Sequence, residues 1–222
     1  MFRSSLAFCA LASLTVLGAC HDKNLNEVTA VATVKFINAT NNAITLAQNG
    51  SVVAGGSGIL FGQGSTCLTV VTTNPALTFT GVNGTTITGF VPSFVAGGRF
   101  TIVAFTDATG NTQFATLDNS FVPVTGQAGV EAFNAAVGSG NVVLLSNGTV
   151  LNGGATTAFG TAGTFFSQFS GSQTLSFNTG AGTQELANTG AVNLLANTNN
   201  TIVLAPAAPG TAALRAFVAT GC

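Results

Sequence analysis

The chain has 222 residues, of which 46% are hydrophobic and only 5% charged, with a formal net charge of −1 and a mean hydropathy of +0.54. High hydrophobicity with little net charge excludes a disordered chain, which needs the reverse. The basic residues beyond the first few positions, Lys23, Lys35, Arg99 and Arg215, are scattered and form no cluster that could neutralise phosphates, which excludes nucleic-acid binding.

The N-terminus reads as an export signal. Arg3 supplies the positive n-region, Leu6 to Leu17 an apolar stretch too short to span a bilayer, and Gly18 and Ala19 the small residues of a cleavage site. The run Leu17-Gly18-Ala19-Cys20 resembles the bacterial lipobox, in which the cysteine is acylated and becomes the first residue of the mature protein. That resemblance implies a signal peptide over 1–19, lipidation at Cys20, passage through the lipoprotein export and acylation machinery, and a membrane anchor. Two or more acyl chains, each CH₂ contributing about 0.8 kcal/mol, make such an anchor lasting. His21 rather than aspartate after the cysteine favours the outer membrane. Cleavage before Cys20 leaves 203 residues. A polar lipidated tether over 20–30 follows; it contains His21, the only histidine, as part of a solvated spacer.

From Val34 onward the chain repeats itself. Ile44 to Val82 aligns without a gap on Val142 to Gly180 at a shift of 98, and 11 of the 39 pairs are identical, including Asn49, Gly50, Gly55, Gly56, Phe61, Gly62 and Phe79. Asn38-Ala39 recurs at Asn134-Ala135 and Thr101-Ile102-Val103 at Thr201-Ile202-Val203. Asn49-Gly50 and Asn147-Gly148, each between two apolar runs, predict hairpins whose turn residues both take positive φ. Gly55-Gly56 and Gly153-Gly154 predict a second turn or bulge. Val34 to Asn38 and Arg99 to Asp107 read as central strands, and Ala76 to Val82 as a half-buried one. Short strands with a turn signal every eight to twelve residues predict an all-β protein of two tandem immunoglobulin-like Greek-key β-sandwich domains, over 31–125 and 126–222. Phe36, Phe61, Phe79, Phe100, Phe159 and Phe177 are the predicted core, with an aromatic ligand platform as the alternative for some of them.

The opening of the first unit, Val34-Lys35-Phe36-Ile37-Asn38-Ala39-Thr40, and its later Ala96-Gly97-Gly98-Arg99-Phe100-Thr101 resemble the bacterial envelope family known as domain of unknown function 4397. Thr40-Asn41 departs from that family's Ser-Pro, and the second unit opens differently, with Val130-Glu131-Ala132-Phe133-Asn134-Ala135. The resemblance implies exported β-sandwich modules and carries over no reaction.

Catalytic chemistry finds little support. A serine nucleophile lacks a base once His21 belongs to the tether. A carboxylate pair could come only from Asp107, Asp118, Glu131 and Glu185, and their spacing forces no two together. Asp107 and Asp118 sit in turn contexts where a carboxylate caps backbone N–H groups, and Asp107 with Asn111 is too thin a set for calcium. The expectation is therefore a non-enzymatic protein without cofactor or metal. Sequons at Asn38, Asn49, Asn83, Asn147 and Asn199 read as hairpin chemistry in a bacterial chain, and the lack of Trp and Tyr argues against a lectin face.

Cys9 leaves with the signal and Cys20 is acylated, so Cys67 and Cys222 are the two free thiols in an oxidising compartment. A disulfide between them would tie the last residue to the first unit; alternatively Cys67, aligned with Phe165, faces inward as a small core residue. The function expected is a lipid-anchored surface binding or adhesion module, a two-domain rod presenting loops to a protein or glycan ligand. The alternative is a structural envelope protein associating with itself or with outer-membrane partners.

Overall fold

The computed structural model describes residues 29–73, 77–81, 86–87, 90–208 and 211–222. The signal, Cys20 and His21 lie outside them, as does Asn83. Among the described residues regular structure is almost entirely β, with one short 3₁₀ turn at Asn152–Gly154, and no helix is long and apolar enough to cross a membrane.

The first repeat contains eight strands: β1 (Val31–Asn38), β2 (Ile44–Gln48), β3 (Ser51–Val52), β4 (Gln63–Val71), β5 (Leu77–Gly81), β6 (Thr86–Ile87), β7 (Arg99–Thr106) and β8 (Thr112–Asp118). The second contains β9 (Gln127–Asn134), β10 (Val142–Ser146), β11 (Thr149–Val150), β12 (Phe166–Phe169), β13 (Gly171–Thr179), β14 (Glu185–Leu194), β15 (Asn199–Pro206) and β16 (Leu214–Thr220). The sheets have the orders β4-β1-β7-β8 and β3-β2-β5-β6 in the first unit, and β12-β9-β15-β16 and β11-β10-β13-β14 in the second. Each strand thus has its counterpart eight strands on, and the two units share one topology. The protein is all-β and consists of two β-sandwiches.

The predicted hairpins are present. Asn49 and Gly50 have φ of 50° and 80°, and Asn147 and Gly148 have 49° and 80°. The paired positive values suit the tight β2–β3 and β10–β11 connections, whose twist must match that of the flanking strands.

In each unit the first and seventh strands run parallel in the middle of one sheet: β1 beside β7, and β9 beside β15. Parallel strands are normally covered on both faces, and these are. Val34, Phe36, Phe100, Ile102 and Ala104 point into the core of the first sandwich with Leu46, Leu68 and Phe79. The residues between them, Ile37, Val103 and Phe105, point the other way. In the second unit Val130, Ile202 and Leu204 face their own sandwich with Leu144, Leu175 and Phe177, whereas Phe133, Val203 and Ala205 face outward.

The two outward faces pack against each other, giving a third apolar core between the units, and the molecule is a stack of four sheets. The expected rod is corrected on this point: residues of both units are buried at the contact, among them Ile37, Val103, Phe133 and Val203, all fully inaccessible. Two of the six predicted core phenylalanines are corrected with it. Phe61 and Phe159, which are repeat partners, lie half-buried against this third core instead of inside either sandwich.

The contact is reciprocal, as in a two-fold dimer. The Arg215 guanidinium lies 5.2 Å from the Phe61 ring centroid, and Phe105 meets Phe159 edge-on at 5.6 Å. Gly62 lies under Arg215, where an added Cβ would come within 2.6 Å of Nη2, and its repeat partner Gly160 lies against the Phe105 ring.

Candidate functional site

The seam between the units has two related corners. At one, Cys67 of β4 is disulfide-bonded to Cys222, just past β16, with Cα atoms 5.7 Å apart. Cys67 is exposed, so the inward-facing alternative for this thiol does not apply. At the other corner stands Phe165, the repeat partner of Cys67. It stacks on Phe121, just past β8, at 5.4 Å between centroids and 9° between ring planes. One corner is tied by a covalent bond; at its counterpart two aromatic rings stack beside an open cavity.

The open corner carries the more unusual chemistry. Between β8 and the segment leading into β12 lies a cavity of about 530 Å³, lined by residues of both units: Thr116, Asp118 and Phe121 from the first, Glu131, Ala162 and Phe165 from the second. Glu131 is only 3% exposed. It sits in β9 opposite Thr201 of β15, whose hydroxyl donates to Oε1 at 2.8 Å. Burial, with a smaller contribution from the nearby negative charge of Asp118, pushes its carboxyl up to about 8, although the Thr201 hydrogen bond pulls the other way. Thr116 Oγ1 is buried and makes no hydrogen bond among the described residues. Asp118 is exposed, and its Oδ1 accepts from the Ser120 amide at 2.8 Å.

At the matching position of the first unit stands Lys35, paired with Thr101 as Glu131 is with Thr201. Lys35 is half-buried, and burial lowers its pKa. Its cross-strand neighbour is Cys67. The two repeats therefore place an acidic and a basic side chain at equivalent points of the seam.

A second cavity, of about 390 Å³, opens at another end of the seam between Asn41, Asp107, Val137 and Leu214. Asp107 has both oxygens engaged: Oδ1 accepts from the Thr109 and Asn111 amides and the Thr109 hydroxyl, and Oδ2 from Gln113 Nε2 at 2.9 Å. These bonds hold its carboxyl down at about 2. This is the turn-capping role read from Thr-Asp-Ala-Thr-Gly. The recurring Asn-Ala pair is also structural: Asn38 Nδ2 donates to the Ile59 carbonyl at 2.8 Å, and Asn134 Nδ2 to the Gly140 carbonyl at 3.0 Å, fixing the exits of β1 and β9.

Sequence spacing did not bring Asp118 and Glu131 together, because they belong to different units and meet only through the packing of the units. A signal was nevertheless present: Glu131 interrupts an otherwise apolar strand, at the position where the first repeat has lysine. No protein-family model matches the chain, and no curated protein matches it in sequence.

Proposed function

We propose that this is a lipid-anchored protein of the bacterial cell envelope, held through an acylated Cys20 and acting without catalysis as a binding or adhesion module, at the outer membrane. The anchor rests on the Leu17-Gly18-Ala19-Cys20 run behind a short apolar stretch. The disulfide supports an oxidising compartment. The observation that carries the binding role is the cavity at the seam, where a buried carboxyl, a hydroxyl without a partner among the described residues and two phenylalanine rings converge from two units.

A structural role, through association with like copies or outer-membrane proteins, is favoured by one feature. Val122, Val124 and Phe169 are 83%, 60% and 71% exposed, and the Val124 amide bonds to Ser167 two residues from Phe169. Crosslinking in cells followed by capture separates the readings: a soluble or foreign ligand supports binding, whereas self or porin-like partners support structure. Fatty-acid labelling should vanish in Cys20→Ser; label persisting in that variant would overturn the anchor.

A further inference from the structure

We infer that the seam cavity bounded by β8, β9 and the 162–165 segment is a recognition site for a primary ammonium group on a short aliphatic chain. The inference deepens the binding-module reading and rests on it. A –NH₃⁺ group has three donors and no acceptor. The cavity offers acceptors of the kind it needs, the carboxyls of Glu131 and Asp118 and the hydroxyls of Thr116, Ser120 and Thr164, and among its lining residues no cation to compete for them. Leu117, Ala162 and the phenylalanines Phe121 and Phe165 supply the apolar part of its wall, surface for a methylene chain and rings whose faces attract cations.

The site's oddity is Glu131. A carboxyl so deeply buried, with no basic partner among the described residues, is costly to keep ionised. Its counterpart corner has lysine and a disulfide instead, which joins the two units covalently. An anion would meet two acids in this cavity. A calcium ion prefers several carboxylates among its six to eight oxygens, and among the described residues no three metal-ligating side chains of His, Cys, Asp or Glu come together.

Binding would couple to a proton. With its carboxyl raised to about 8 by burial, Glu131 is protonated at neutral pH; an arriving ammonium stabilises the carboxylate, and the proton leaves to solvent as the ion pair forms. Asp118 on β8 is the charged group acting on Glu131. From β15 it meets the Thr201 hydroxyl, and the segment 162–165 has no titratable residue.

The test uses the lipid-bearing mature protein in detergent, titrated calorimetrically with two probes. Cadaverine represents a free amine, and Nα-acetyl-lysine methylamide represents a lysine side chain of a peptide; 1-pentanol and calcium chloride serve as controls. One-to-one saturation by at least one amine is expected, tightening from pH 6 to pH 8 by up to about tenfold per pH unit. Which amine binds more tightly identifies the source. Glu131→Gln should weaken binding at pH 8 at least tenfold and flatten its pH dependence. Asp118→Asn, at an exposed position, should weaken it without flattening. Equal affinity in folded Glu131→Gln, equal binding of 1-pentanol, saturation by calcium alone, or no saturation by either amine would overturn the assignment. If the amines fail while cell crosslinking still captures a soluble ligand, the site assignment falls and the binding-module reading stands.

Discussion

Glu131 couples the stability of this protein to pH in the direction opposite to most carboxylates. Its pKa is about 8 folded against 4.5 for an unperturbed glutamate, so between those values the unfolded chain has lost the proton that the folded chain keeps. Stability from this group is therefore fully present below about pH 4.5 and declines as pH rises toward 8, by about 1.4 kcal/mol per unit. Glutamine is neutral at every pH and can still accept from Thr201. Glu131→Gln should match the parent near pH 4.5 and exceed it at pH 8 by on the order of 2–4 kcal/mol, read as a higher Tm. Parallel pH profiles of the two proteins would refute a buried, protonated Glu131. Asp107 works in the usual direction: its depressed pKa gives stability above about 3.8 that is lost as pH falls toward 2. A second residue-scale effect lies in the turns. An added Cβ at Gly50 or Gly148 meets nothing within 4 Å, so only their φ of 80° resists substitution. Gly50→Val and Gly148→Val should each cost about 1 kcal/mol or more in denaturant melts, since β-branched residues avoid that region. Melts like the parent's would show that the turns tolerate other backbone states. These turns were legible because Asn-Gly between apolar runs states its own geometry. Glu131 was not, because its environment is assembled from residues of the other unit.

At the scale of strands, the four central ones settle how the sandwiches stack. In β7, β9 and β15 nearly every position is buried, and in β1 five of eight, with alternate side chains going to a sandwich core and to the seam. The sequence reading recognised the central strands Val34 to Asn38 and Arg99 to Asp107 but assigned one core per unit, and so placed Phe61 and Phe159 in the wrong layer. Continuous apolar runs indicate burial on both faces, but they do not say which neighbour covers the second face. Phe133 tests the seam directly: it is fully buried there, on β9, and its ring meets Phe105 of β7 at 5.5 Å. Phe133→Ala should cost about 3–5 kcal/mol, as much as a cavity inside either sandwich. A loss below about 1 kcal/mol in equilibrium unfolding would mean that the seam contributes little and the units are held by the disulfide and the connection alone.

Over the whole molecule, the repeat makes the chain a covalent dimer of like units, joined at residues 119–126 and again by Cys67–Cys222, which are 155 residues apart. In the chain-entropy model closing so long a loop contributes at most about 5 kcal/mol. The Cys67→Ser, Cys222→Ser double variant should therefore melt lower but remain folded, because the apolar seam persists without the bond. The seam also decides what one unit does by itself. Cut from its partner, a fragment spanning 31–125 would present Ile37, Ala39, Val103, Phe105 and Leu117 to water as one contiguous face. Apolar patches of that kind drive association, and this one already fits a partner of the same topology. The isolated fragment should thus dimerise or aggregate in sedimentation experiments, and adding a 126–222 fragment should draw it into a one-to-one complex. Reduced, unlinked fragments that stay monomeric when mixed and each melt at the Tm of the intact chain would show that the sandwiches are independent, and that the four-layer stack is held by its two covalent links.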